Sequence, residues 1–298
     1  MPAIRSALIW GMVASATFLA TNTASAATAR VGVGSQYSTT HVYVAPNDVD
    51  KFAESFLATF GGKSTKQVIA TVTPTDSSTT SQLLQTPAGT VSLFGFTSPI
   101  PYPFGHERTG YLVTDLDKAV TAAVSDGAEV IVAPFDDPIG RDAVIQWPGG
   151  VKMQLYWHKT PPTYEPFATL PENRVYLSKE RLAAFVRGFL AFSHGRVVSD
   201  ETQADGNEIG QPGKPFHRIR IESDFGRLAV MATDGHLPYP YGWEVAGYEV
   251  NDLNTTLEKA TASGASVVVP PVLAGKRKSA IVGFPGGYIA EIHATQPE

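Results

Sequence analysis

The sequence predicts an α+β protein assembled from four copies of one strand-helix-strand-strand-strand unit, and two repetitions carry that prediction. The phrase "PYPFGHERTGYLVTDLD" beginning at Pro101 returns as "PYPYGWEVAGYEVNDLN" beginning at Pro238. From Gly110 and Gly247 onward the two stretches run ungapped for about fifty positions at a spacing of 137, which relates Asp115 to Asp252 and Gly127 to Gly264. The same spacing relates Pro148-Gly149-Gly150 to Pro285-Gly286-Gly287. Upstream, "HVYVAPNDVDKFAESFLATFGGK" from His41 lies over "RVYLSKERLAAFVRGFLAFSHGR" from Arg174 at a spacing of 133, with Phe52 on Phe185 and Phe56 on Phe189. The loop that follows therefore differs by four residues between the halves. Self-similarity of this kind marks one supersecondary unit used repeatedly.

Each quarter justifies its elements in the same order. It opens on a short apolar strand, "HVYV", "GYLV", "RVYL" or "GYEV". A helix comes next, and in the second quarter Leu116, Val120 and Val124 recur at helical spacing behind Asp115, a good N-cap. Gly127 and Gly264 stop the second and fourth helices. Apolar strands follow, "EVIVAP" and "DAVIQW" in one half and "SVVVPP" and "SAIVGF" in the other. A Pro-Gly-Gly turn then leads into the closing strands "VKMQLYW" and "YIAEIHA". The Pro-rich segment "KTPPTYEPFATLPEN" joins the halves. The predicted organisation is residues 27–160 and 173–298 as tandem domains, with 161–172 as linker.

Residues 1–26 read as a removable secretory signal: Arg5, an apolar run from Ala7 to Ala20, then the small-residue pattern Ala24-Ser25-Ala26. The expectation is an exported, periplasmic or secreted protein whose mature chain starts near Ala27 and has no stable membrane span. No cysteine is present, which excludes disulfides, thiolate nucleophiles and cysteine-ligated zinc. The net charge of −5 is spread without basic clusters, so the footprint of a nucleic-acid binder is missing. "GQPGKP" is a Pro-broken loop and not a phosphate loop, and Asp136-Asp137 and Arg141-Asp142 read as solvated turn residues.

The helix-entry phrases "VTDLDKAV" and "VNDLNTTL", the helix ends "DGAEV" and "SGASV", and the closing "PGGVKMQLYW" and "PGGYIAEIHA" resemble those of the vicinal oxygen chelate superfamily, which holds glyoxalase I, extradiol dioxygenases and bleomycin-resistance proteins. The resemblance implies two tandem glyoxalase-like domains, each of two modules curled into a cup that binds a small-molecule ligand. It places metal ligands on the first and last strands of each module. Carried over, it points to His41, Gln154 and Glu291 as metal-ligating candidates, with Ser92 at the first module's last strand and Arg108 or Thr109 at the second module's first. The second half offers Arg174 and roughly Val245 or Ala246, so a divalent metal is conceivable as cofactor but not favoured. Pairing the first quarter with the fourth would bring His41 to Glu291.

The repeated Pro-aromatic phrases have two readings. They are stiff extended linkers, or their residues line the mouth of each cup. On the second reading Tyr102, Phe104, His106, Arg108, Arg174, Tyr239, Tyr241 and Trp243 are ligand-binding candidates, and Glu107 and Glu244 are candidate catalytic bases, since linker geometry alone requires no carboxylate. Two functions follow: a metal-free binder of a small molecule, or a metal-dependent lyase, isomerase or dioxygenase.

Overall fold

The computed structural model describes residues 30–296, so the signal expected at 1–26 lies outside the described residues. The first module comprises β1 (Thr39–Tyr43), α1 (Val49–Phe60), β2 (Lys63–Ser64), β3 (Val68–Ala70), β4 (Thr79–Thr86) and β5 (Gly89–Phe96). The second comprises β6 (Thr109–Leu112), α2 (Leu116–Ser125), β7 (Glu129–Asp136), β8 (Gly140–Gln146) and β9 (Lys152–His158). In the third are β10 (Glu172–Ser178), α3 (Lys179–Ser193), β11 (Arg196–Ala204), β12 (Phe216–Ser223) and β13 (Gly226–Thr233). The fourth holds β14 (Val245–Glu249), α4 (Leu253–Ala262), β15 (Ser266–Ala274), β16 (Arg277–Gly283) and β17 (Ile289–Thr295).

Modules one and two share one sheet in the order β2-β4-β5-β1-β6-β9-β8-β7, and modules three and four share another, β11-β12-β13-β10-β14-β17-β16-β15. In each sheet the two opening strands meet antiparallel at the centre, Thr39 opposite Gly110 and Glu172 opposite Gly247. Each opening strand runs parallel to its own module's closing strand, because a helical crossover separates them. First and fourth quarters therefore do not share a sheet, and His41 and Glu291 lie in different cups.

The helices answer to their caps. Asp115 accepts the Lys118 backbone N–H and Asp252 that of Thr255, each at 3.1 Å. On α2 the buried face is Leu116, Ala119 and Ala123, while Val124 faces solvent. The small alanines let this helix lie close to its sheet, which an apolar-spacing argument built on valine did not anticipate.

Those helices cover the outer faces of the sheets, and they pack across the domain boundary. Phe52 and Phe56 of α1 meet Tyr248, Phe284 and Tyr288 of the fourth module in one core with α4. Phe185, Phe189 and Phe192 of α3 meet Trp147 and the α2 face in another. At about 1.5–3 kcal/mol for each large apolar side chain buried, these shared cores are a major stabilising term. The Pro-Gly-Gly turns complete the join. A Cβ on Gly149 would stand 2.4 Å from Leu177, and one on Gly286 2.5 Å from Val44, both at positive φ. Glycine is what lets each turn rest on the opposite domain.

Candidate functional site

Side chains alternate along a strand, so Thr39, His41 and Tyr43 of β1 share the concave face with Ser92 and Phe94 of β5 and with Gln154, Tyr156 and His158 of β9. They enclose a cavity of about 370 Å³ in the first domain. The parallel registers define its centre. His41 stands beside Ser92 and Gly110 beside Gln154, and the equivalent four positions of the second domain are Arg174, Ala229, Gly247 and Glu291. The third position is glycine in both halves, in place of the Arg108 or Thr109 and Val245 or Ala246 expected from the strand alignment. A Cβ there would come within 2.5 Å of His41 Nε2 or 2.8 Å of Glu291 Oε2, so glycine makes room for the neighbouring polar head group.

In the first cup, His41 Nδ1 lies 3.4 Å from Glu107 Oε1, and the Tyr43 hydroxyl donates to the same oxygen. Glu107 is fully buried and its Oε2 has no hydrogen-bond partner. Burial, reinforced by the charge of Glu107, raises the Tyr43 phenol well above its ordinary value. Asp142 on β8 is buried and lines the cavity, contrary to its expected place in a solvated turn. Burial, with the charge of Asp137 adding to it, raises its carboxyl well above its ordinary value, against the hydrogen bond of Gln154. His158 is lowered by burial, against the charge of Asp137. Phe94 meets His41 edge-on at 5.7 Å, and Phe104 closes one side.

A resident divalent ion does not fit these positions. The central donors are one imidazole, one hydroxyl and one neutral amide, with no side chain at the fourth place, and such a set lacks the paired imidazoles and carboxylate that hold first-row ions. No cluster of three or more suitable His, Asp or Glu groups occurs among the described residues.

The second cup has a different content. Glu291 receives Arg174 at 2.8 and 2.5 Å and Arg277 at 3.1 and 2.8 Å, so both its oxygens are engaged. Burial alone would raise its carboxyl, but Arg174 and Arg277 more than offset this and hold it well below the usual range. Arg277 also pairs with Glu172 at 2.8 Å. His293 sits inside β17 beside Arg277, and burial pushes it down to about 4. A one-turn helix over Gly206–Ile209 inserts Glu208 against Arg174 at 3.3 Å and against Arg218. Ile209 from the same turn packs on Phe216, Ala229 and Met231. This turn falls in the loop whose length differs between the halves. Arg174, expected to meet a ligand, is only 1% exposed and committed to carboxylates of its own chain.

The repeated phrases are turns and not extended linkers: Phe104 donates its N–H to the Pro101 carbonyl and Tyr241 to that of Pro238, each at 2.9 Å, and each Tyr-Pro bond is cis. Phe104 and Tyr241 point inward, whereas Tyr102 (66%), Tyr239 (70%) and Trp243 (66%) face solvent. His106 is exposed beside the Tyr102 ring. Arg108 donates to the Gly105 carbonyl at 3.3 Å. Glu244 lies outside both cups. Asp142 stood in the sequence as a turn residue at the start of an apolar strand, while Glu208 and Arg277 carried no motif.

No known family profile and no curated protein matches the chain. Among solved structures it is similar to a mutant of 4-hydroxymandelate synthase from Streptomyces coelicolor (TM-score 0.58, 16% identity, covering 89% of this chain and 94% of that one). It is also similar to the 2,3-dioxygenase LapB from Pseudomonas sp. KL28 (TM-score 0.51, 13% identity, 90% and 92% covered). A third is the Mn(II)-bound glyoxalase from Novosphingobium aromaticivorans (TM-score 0.50, 13% identity, 90% and 84% covered). The shared fold is that of the vicinal oxygen chelate superfamily.

Proposed function

We propose that the first cup is the working site, that it binds a small, mostly planar and uncharged organic molecule, and that it does so without a resident metal. The observation that carries this is the contrast between equivalent cups: one retains a cavity of about 370 Å³, and the other is filled by its own Glu208, Ile209 and arginines. Tyr43, Phe94, Phe104 and Tyr156 give flat apolar walls. Ser92, Gln154 and Asp142, whose carboxyl burial raises, give hydrogen-bonding groups among them. One lysine, Lys66, lines the cup against Asp137 and Asp142, which suits a ligand without strong net charge. The solved neighbours named as a synthase, a dioxygenase and a glyoxalase support a small organic ligand.

The test is a thermal-shift screen of neutral phenols and aromatic ketones on the protein before and after chelation, followed by titration. Gln154→Leu and Asp142→Leu should each weaken a hit roughly tenfold, the cost of an unmatched buried polar contact, and chelation should leave its affinity unchanged. A hit indifferent to both variants would remove the cup from consideration. A stoichiometric metal lost in His41→Ala would overturn the metal-free part. A second reading, that the cup also moves a proton on its ligand, is favoured by His41 and Tyr43 converging on Glu107. It requires Glu107→Gln to stop conversion of the hit while binding persists.

The proposal includes export, supported by the amino-terminal sequence pattern. Amino-terminal sequencing of protein recovered from cells should read from near Ala27, and a chain retaining Met1 would refute it.

A further inference from the structure

A second cavity, of about 240 Å³, lies between the two domains and shares only Tyr43 with the first cup. The first domain contributes Tyr43 and Arg108, and the second contributes Tyr239, Trp243, Glu244 and Tyr288. A guanidinium and a carboxyl face this cavity, and no ion pair joins them. Arg108 makes its one bond to the Gly105 carbonyl and forms no ion pair among the described residues. Glu244 Oε1 is shielded from solvent and has no partner of hydrogen-bond geometry, while the nearby Thr109 hydroxyl pulls the carboxyl toward its ionised form. Such a group costs stability unless something donates to it. Tyr239 and Trp243 stand about two-thirds exposed at 70% and 66%, an unusual state for two large rings bordering one cavity.

We propose that this cavity binds a small zwitterion bearing a planar group, the class of the aromatic α-amino acids. Its carboxylate meets the Arg108 guanidinium, its ammonium supplies the donor that Glu244 lacks, and its ring lies against Tyr239 and Trp243. Each simpler ligand leaves one group unanswered. An anion would answer Arg108 but give Glu244 Oε1 no donor, and a cation would face the Arg108 guanidinium. A neutral ring would answer neither group. Burial holds the Glu244 carboxyl up at about 8 against the pull of Arg108, with Glu107 adding to the rise, and an arriving ammonium favours its ionised form. The site meets the first cup at Tyr43 and shares no other lining residue with it.

The experiment titrates L-phenylalanine, 3-phenylpropionate and 2-phenylethylamine into the full chain, read by calorimetry and by Trp243 fluorescence. L-Phenylalanine should bind at least roughly tenfold more tightly than either truncated probe, one charge-assisted contact being of that order. Arg108→Met and the near-isosteric Glu244→Gln should each abolish that advantage, while Lys118→Ala on the exposed face of α2 leaves it intact. Circular dichroism and melting of each variant separate lost binding from lost folding. No binding of L-phenylalanine at millimolar concentration overturns the proposal. So does an equal affinity for all three probes, or an advantage that survives Glu244→Gln in a folded variant.

Discussion

Glu107 and Glu244 occupy the same place in the repeated phrase and have come to different chemistry. Each leaves one oxygen unpartnered, but Glu107 takes Tyr43 and His41 of the first cup on its other oxygen, whereas Glu244 faces the interdomain cavity. The difference gives a pH signature. Because the folded Glu244 carboxyl sits at about 8 and the unfolded one near its ordinary 4.5, the folded state keeps a proton that the unfolded state has lost. Between those values stability must fall as pH rises, at most by about 1.4 kcal/mol per unit for this group. His293, held near 4, acts with the opposite sign below its ordinary 6.5, since there the unfolded chain binds the extra proton. Above pH 6.5 His293 no longer opposes the trend, and Asp142, also raised by burial, acts in the same direction as Glu244, so Glu244 is isolated by comparing the native chain with its variant between pH 6.5 and 8. Urea midpoints of the native chain should decline across that interval, and those of Glu244→Gln should decline less. Equal slopes would show that Glu244 is not held protonated. The sequence made both acids conspicuous through repetition, but their divergence depends on neighbours remote in the chain, Tyr43 for one and Arg108 for the other.

Among elements, the turn Gly206–Ile209 has the largest effect on what the second domain can do. In the sequence it was visible only as a length difference in a polar loop, without apolar periodicity to give it a direction. In the structure it carries Glu208 to Arg174 and Arg218, with Arg220 3.8 Å away, and sets Ile209 on the cup's apolar floor. The strands alone bring three guanidiniums, those of Arg174, Arg220 and Arg277, against the buried carboxylates of Glu172 and Glu291, and leave Arg218 with the half-exposed Glu201. Glu208 offsets part of the remainder. Glu208→Ala should therefore cost about 3–5 kcal/mol by chemical denaturation, the usual penalty for breaking a buried ion pair from one side. Glu201→Ala, at a half-exposed partner of Arg218, should cost under about 1 kcal/mol. Similar losses in the two variants would mean the network is solvated and the cup open. The four-module plan, the caps and the closing turns were all legible from repetition and periodicity. The central glycines were not, because a slip of one or two residues in strand register moves the expected position from Gly110 to Thr109 or Arg108.

At the scale of the molecule, the sequence indicated two tandem halves but not that they depend on each other. Apolar stripes on α1 and α3 say that those helices are buried and leave open what buries them. The structure pairs α1 with α4 and α2 with α3, so each shared core draws on both halves. The segment from Arg30 extends the dependence: Arg30 pairs with Asp224, and Val33 bonds to Leu112 of the first sheet. A chain ending after residue 160 would strip Phe52 and Phe56 of Tyr248, Phe284 and Tyr288. We expect such a fragment to bind hydrophobic dye and to lack a cooperative melt, with folding restored when residues 161–298 are supplied in trans. A fragment with a sharp transition of its own would refute the dependence.

That crossed pairing of helices has a consequence for how the halves diverge. They relate to one another as the members of a closed twofold pair tied into a single chain, with the contact surface on their backs and the hollows turned away. One member can then surrender its hollow without becoming dispensable, because its partner still leans on it. Selection on shape and selection on chemistry act on opposite faces of the same sheet.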